Sequence, residues 1–156
     1  MKKPWVVIAT FFGTGFLPVA PGTWASFLTA LIVYVTPLSS APILTYILAV
    51  GIVSALGVPA ATASEHHFKD KDPQPCVIDE VAGQMIALWL LPRQALLYIA
   101  AVFIFRAFDI VKPFPILLSE SLPRGFGIMT DDILAGLYTL GVLLAFHRIF
   151  LGPIPI

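Results

Sequence analysis

Between Pro4 and Ser64 the chain carries no charged side chain, an unbroken run of 61 residues. Water-soluble domains place roughly one charge in every four residues. A run of this length holds more than two of the roughly 20-residue apolar stretches that a transmembrane helix needs. In lipid, a backbone must satisfy its own polar groups, so such segments fold as helices. The whole chain is 58% hydrophobic and only 12% charged, and its mean hydropathy is +0.93. Disorder is excluded, because disordered chains are polar and charge-rich. The formal net charge is zero, so there is no global basic field and no nucleic-acid partner is expected. The single cysteine, Cys76, excludes a disulfide framework and a Cys-based zinc site. The 156 residues suit one domain spanning 1–156.

The charges are concentrated. Seven fall in 65–80 and seven in 106–132, leaving only Lys2, Lys3, Arg93 and Arg148 elsewhere. The expected fold is therefore all-α: an integral membrane helical bundle, with polar loops held between apolar blocks. Pro42 to Ala63 is the clearest span, and Trp24 to Leu38, extendable from Thr23, reads with it as a hairpin turning at 37–42. The block 81–105 is broken by Pro92 and Arg93. Each half is 11 residues, about 17 Å of helix against a core of about 30 Å. It forms either a re-entrant helical hairpin or one tilted span. Only the hairpin keeps both charged loops on one side of the membrane. The last block runs from Ile133 to Phe146 and extends to Phe150. Lys2 and Lys3 point to a cytoplasmic N-terminus. With Trp5–Phe12 they also resemble a signal peptide, but the remainder is too apolar for a soluble mature domain. Nothing in the sequence specifies an oligomeric state.

Four constellations carry chemistry. The first is the loop 13–23, in which Gly13, Gly15 and Gly22 alternate with Pro18 and Pro21 before Thr23. A glycine-rich loop feeding a helix start exposes N–H groups that bind anions, and Thr23 or Ser26 can cap that helix. A tight turn at the membrane surface explains the same composition. The second is Asp79-Glu80-x-x-Gly83. Acids in a first turn are favoured by the helix dipole; they also make a metal-ligand pair. The third is Arg106, Asp109 and Lys112, spaced three apart on one helical face. They read as a snorkelling interface or as a phosphate clamp oriented by Asp109. The fourth is Gly125-x-Gly127 followed by Thr130 as cap and Asp131-Asp132 opening the last helix, with Gly136 beyond.

The repetition is the main physical argument. Two acid pairs each start an apolar segment, and each is followed by a glycine that lets helices approach. Four carboxylates meeting at one membrane face repel one another unless a cation binds. Oxygen ligands favour Mg²⁺ or Mn²⁺. The expected ligands are Asp79, Glu80, Asp131 and Asp132, with Glu65 at the end of the long span able to join them. Mg²⁺ beside Arg106, Lys112 and a glycine loop is equipment for phosphoryl chemistry. A small membrane carrier or channel with buried acids is the competing reading. His66 and His67 are adjacent and read as interfacial, Asp70-Lys71-Asp72 as a solvated loop, and Cys76 as inert.

At these four motifs the sequence resembles the phosphatidylglycerophosphatase A family. The matching runs are Gly13-x-Gly15…Pro18-x-Ala20-Pro21-Gly22-Thr23…Ser26, Ile78-Asp79-Glu80-x-x-Gly83, Phe105-Arg106-x-Phe108-Asp109-Ile110-x-Lys112-Pro113-x-Pro115-Ile116 and Gly125-x-Gly127-Ile128-Met129-x-Asp131-Asp132-x-x-Ala135-Gly136. Lys71-Asp72-Pro73 also fits its middle loop. Trp24-Ala25 departs from the usual bulky-residue–Gly pair before Ser26. The resemblance implies a Mg²⁺-dependent enzyme of the bacterial inner membrane, its site facing the cytoplasm. It would remove the terminal phosphate of phosphatidylglycerophosphate, a phospholipid presented by the bilayer. Alanine at Asp131 is expected to abolish turnover. A phosphatase for another lipid headgroup is a further alternative reading.

Overall fold

The computed structural model describes residues 3–119 and 121–153. Lys2, one of the two lysines behind the expected cytoplasmic N-terminus, lies outside them. The helices are α1 (Lys3–Ala9), α2 (Pro21–Val35), α3 (Ile43–Phe68), α4 (Ile78–Leu88), α5 (Ala95–Val111), α6 (Ile116–Ser119) and α7 (Gly125–Phe150). There is no strand among the described residues, and the structure is 75% helix. The all-α expectation holds.

The bundle is built around its short helix. Ten of the eleven residues of α4 are buried, Ile86 alone being partly open. α4 packs against α2, α3, α5 and α7. Ala82, Gly83 and Ala87 keep it slim enough to be surrounded. This corrects one expectation: α2 and α3 are joined by a tight turn but do not pack as a hairpin, because α4 lies between them. The block 81–105 is the re-entrant hairpin, not one tilted span. α4 ends at Leu88, the chain turns through 89–94, and α5 returns until Arg106 reaches Glu80 at 3.3 Å. The last helix is longer than its apolar block suggests. It starts at Gly125, the first of the glycine pair, so Thr130 lies inside the helix and does not cap it, and Asp131 and Asp132 lie in its second turn.

Two helices, α3 and α7, are long and apolar enough to cross a membrane. The central helix of a soluble protein passes the same hydropathy test, but it is mostly buried. Here only 17% of the apolar window of α3 and 33% of that of α7 is buried. Leu44, Leu48, Ile52 and Leu56 all point outward from α3. Apolar surface this continuous needs an apolar solvent. α2 and α5, with 15 and 17 residues, reach about 22 and 25 Å. That is short of a hydrocarbon core of about 30 Å and is accommodated by snorkelling ends or local thinning. Arg93 shows this at the α4–α5 turn, where its guanidinium lies 5.1 Å from the Tyr34 ring centre.

Glycines set the closest crossing. A side chain at Gly136 would overlap the carbonyl oxygen of Gly83, and one at Gly83 would lie 2.5 Å from the carbonyl oxygen of Asp132. α4 and α7 therefore touch backbone to backbone. The crossing lies one turn below Asp79 on one helix and one turn below Asp132 on the other, which draws the acids together. At the far end of α4 the Trp89 N–H turns back to Ile86, leaving the Met85 carbonyl without its helical donor. The buried Tyr46 hydroxyl of α3 donates to that carbonyl at 2.7 Å. Tyr46→Phe is expected to cost about 1–2 kcal/mol and to lower the thermal midpoint in detergent; an unchanged midpoint would show that the cap contributes nothing.

Candidate active site

The strands of charge seen in the sequence converge at one end of the bundle. The N-terminal ends of α2, α4 and α7 meet the C-terminal end of α5 and the loop after α3. They enclose a cleft of about 380 Å³ whose polar wall includes Asp79, Glu80, Arg106, Asp109, Lys112, Asp131 and Asp132. All seven residues expected to carry catalysis face the same space.

Their pairing is specific. Arg106 Nη1 lies 2.7 Å from Asp109 Oδ2 and 3.3 Å from Glu80 Oε1. Asp109 is one turn along α5 and fixes the guanidinium while Glu80 receives it. Lys112 Nζ donates to Asp131 Oδ2 at 2.7 Å. Lys112 ends α5 with φ 46° and ψ 60°, the left-handed conformation that stops the helix and swings its side chain back to α7. Asp131 Oδ1 accepts the Asp132 N–H at 3.1 Å. Asp131 is thus committed to the cation beside it.

Asp79, Glu80 and Asp132 are different. All three are buried. Each offers a carboxylate oxygen, and the three oxygens lie within 4.8 Å of one another. Asp79 Oδ1, Glu80 Oε2 and Asp132 Oδ2 have no hydrogen-bond partner. Buried unpaired carboxylate oxygens are costly, and several together more so. Oxygens around one Mg²⁺ at about 2.1 Å are separated by at most about 4.2 Å. The set fits a divalent cation with small adjustment. Asp131 falls outside the trio, and Glu65 lines neither the trio nor the cleft.

The glycine loop divides in two. Only its end, Ala20-Pro21-Gly22, lines the cleft. Ala20, with φ 47° and ψ 56°, precedes α2, and no side chain caps that helix. Pro21 has no N–H, so the first open donors are those of Gly22 and Thr23. A side chain at Gly22 would overlap Glu80 Oε1, so glycine is what lets the helix start abut the acid. Gly13 and Gly15 lie away from the cleft. Gly15 seats against the Pro75 carbonyl and docks the two loops. Ser26 donates to the Gly22 carbonyl at 3.0 Å instead of capping.

Three polar wall residues, Asp72, Gln74 and Cys76, were missed from the sequence. Asp72 is exposed, as a solvated loop requires, yet it lines the cleft. Its only signal was Lys71-Asp72-Pro73. Cys76 also lines the cleft, and burial, reinforced by Glu80, pushes its thiol up to about 12.

A model of the phosphatidylglycerophosphatase A family matches residues 7–147. The chain belongs to this family. It is a phosphatase. It is 37% identical over 147 residues to the phosphatidylglycerophosphatase A of Haemophilus influenzae, covering 93% of this chain and 90% of the relative. It is 35% identical over 145 residues to that of Escherichia coli, covering 92% and 83%. A protein of Bacteroides thetaiotaomicron named as a putative phosphatidylinositol-3-phosphatase is 37% identical over 161 residues, covering 97% and 100%. No solved structure matches the chain. The phosphatase is associated with a membrane through its apolar helices.

Proposed function

We propose that the chain hydrolyses the terminal phosphate monoester of phosphatidylglycerophosphate, with Mg²⁺, at the cytoplasmic face of the bacterial inner membrane. The observation that carries this reading is the buried acid trio Asp79, Glu80 and Asp132, each with an unpaired carboxylate oxygen, in one cleft with Arg106 and Lys112. Two like-named relatives support the substrate.

Asp79, Glu80 and Asp132 would hold the ion. Bound there, Mg²⁺ would offset phosphate charge and make an attacking water more acidic. The chain does the rest. Arg106, held by Asp109, donates to the phosphate oxygens. Lys112, held by Asp131, does the same from the α7 side. The N–H groups of Gly22 and Thr23, at the positive end of α2, add an anion seat. A carboxylate of the cluster accepts the proton of the attacking water. The new P–O bond forms as the bond to the glycerol oxygen breaks, and that oxygen leaves with a proton as alcohol. Acyl chains stay in the bilayer.

The test is phosphate release in detergent micelles from phosphatidylglycerophosphate. Release is expected to stop with EDTA and return with Mg²⁺. Failure of the folded protein to release phosphate would remove the substrate and bring forward the carrier reading, to be measured as flux in liposomes. A second reading, a phosphatase of phosphatidylinositol 3-phosphate, is favoured by the Bacteroides relative. A higher kcat/KM for that lipid would select it.

A further inference from the structure

Two apolar grooves run along the bundle, and α5 walls both. One, of about 250 Å³, lies between α2 and α5. The other, of about 500 Å³, lies between α5 and α7. The mechanism above uses neither. The helical spacing of α5 decides which of them leads to the cleft. Ala95, Ile99 and Val102 wall the α2–α5 groove. Steps of three and four residues carry that stripe on to Arg106 and Asp109, and both line the cleft. Leu97, Ala100 and Ile104 wall the α5–α7 groove. The same steps carry their stripe to Phe108 and Val111, and neither lines the cleft. Phe108 instead packs on Tyr138 of α7, ring centres 5.5 Å apart, and closes that seam. α2 agrees with α5. Phe27, Leu31 and Tyr34 wall the first groove, and the start of the same helix, Pro21 and Gly22, lines the cleft.

The α2–α5 groove has a collar, an open side and a floor. At its cleft end Phe27 and Phe103 meet edge to face at 5.7 Å. Leu31, Ile99 and Phe103 are exposed, so the groove opens sideways to lipid. At its far end Tyr34 and Tyr98 meet edge to face at 5.4 Å, with the Arg93 guanidinium over the Tyr34 ring. From Gly22 to Tyr34, α2 rises about 18 Å. One leaflet is about 15 Å deep, half of a hydrocarbon core of about 30 Å. A hydrocarbon chain that hangs from a headgroup in the cleft and reaches the bilayer midplane therefore ends near the tyrosine pair.

We infer that the α2–α5 groove holds one acyl chain of the lipid whose phosphomonoester occupies the cleft. This rests on the lipid-phosphatase reading of that cleft. Within a bilayer the groove gains nothing from hydrophobicity, because lipid tails are as apolar as its wall. Its contribution is position. A tail held between α2 and α5 keeps its headgroup beside Gly22 and Arg106. Binding of a remote, unreactive part of a substrate raises turnover by orienting the reacting end. Leu31 and Ile99 are therefore positioning residues.

The test uses the full chain in lipid nanodiscs and phosphatidylglycerophosphate with a diazirine at the end of one palmitoyl chain. Illumination before turnover should label Tyr34 and its neighbours in the α2–α5 groove, and not Leu97 or Val142 in the other. Excess unlabelled phosphatidylglycerophosphate should suppress that label, and excess phosphatidylcholine should not. Leu31→Trp and Ile99→Trp fill the groove from positions open to lipid, so neither overpacks the core. Each is expected to lower kcat/KM for phosphatidylglycerophosphate about ten-fold. Each should leave hydrolysis of the deacylated headgroup, glycerophosphoglycerophosphate, unchanged. Leu96→Trp, on the same helix but in the α5–α7 groove, should change neither. Equal losses on the acylated and deacylated substrates would overturn the inference, as would labelling of the α5–α7 groove. Suppression by phosphatidylcholine would make the occupant bulk lipid, and a dimer cross-linked through Leu31 and Ile99 would make it a second copy of the chain; either overturns it. Specific labelling of the groove in a chain that hydrolyses no lipid would uphold the groove and sink the hydrolase reading instead.

Discussion

Asp132→Asn is expected to lower phosphate release by a factor on the order of 1000 or more, in protein that is at least as stable as the unaltered chain. Asparagine keeps the size of the side chain and removes its charge. Asp79, Glu80 and Asp132 each bring a carboxylate oxygen within 4.8 Å of the others, and each has a buried oxygen without a hydrogen-bond partner. Without a cation they repel one another, so removing one charge relieves the Mg²⁺-free fold and raises its thermal midpoint. The unaltered chain should gain stability as Mg²⁺ is added, because a ligand that binds only the folded state stabilises it. The variant should lose most of that gain. Activity and Mg²⁺-dependent stabilisation disappearing together, while metal-free stability rises, is the signature of a metal site. An active Asp132→Asn protein would remove the carboxylate trio from the chemistry. On the proposed mechanism Asp131 positions Lys112, from whose Nζ it accepts a hydrogen bond at 2.7 Å. Its alanine variant should lose about 10–100-fold, a smaller effect than the sequence alone suggested.

Gly136→Leu should leave little folded protein, and Gly136→Ala should cost about 1–3 kcal/mol. The reason is the helix crossing, because any side chain at Gly136 meets the Gly83 carbonyl oxygen. That neighbour is backbone of the central helix and cannot swing aside. Pushing α7 away from α4 also parts Asp132 from Asp79 and Glu80, so activity should fall more than stability does. Gly141 is the control on the same helix. A side chain there meets nothing within 4 Å, and Gly141→Ala should be neutral or stabilising by roughly 0.5–1 kcal/mol, as helix propensity dictates. Equal thermal midpoints for the two alanine variants would show that the crossing is looser than the backbone contact implies.

Much of the site was legible before the fold, because its chemistry is written in residue types at short spacings. Arg106, Asp109 and Lys112 share a helical face by arithmetic, and the two acid pairs stand out against an apolar background. The division of labour among them was not legible. Asp131 and Asp132 are neighbours in sequence, but a helix turns about 100° between them. One therefore faces Lys112 and the other faces Asp79 and Glu80. Gly13 and Gly15 look like the same loop as Gly22, yet only Gly22 meets Glu80. Glu65 sits near the end of the long helix α3 and is not among the residues lining the cleft.

The sequence by itself determined the solvent and the element type. In a run of 61 uncharged residues the apolar stretches are continuous, not alternating as in the strands of a closed barrel, and this commits the backbone to helices in lipid. It also determined that the charges must gather, because two short segments hold nearly all of them. Tertiary structure decided the rest: that α4 separates α2 from α3, that 81–105 turns back on itself, and which acids are paired and which are left open. These depend on contacts between residues far apart in the chain, such as Gly83 with Gly136 and Glu80 with Arg106. Hydropathy is blind to them, because lipid-facing and helix-facing side chains in a bilayer are equally apolar and only close packing tells them apart.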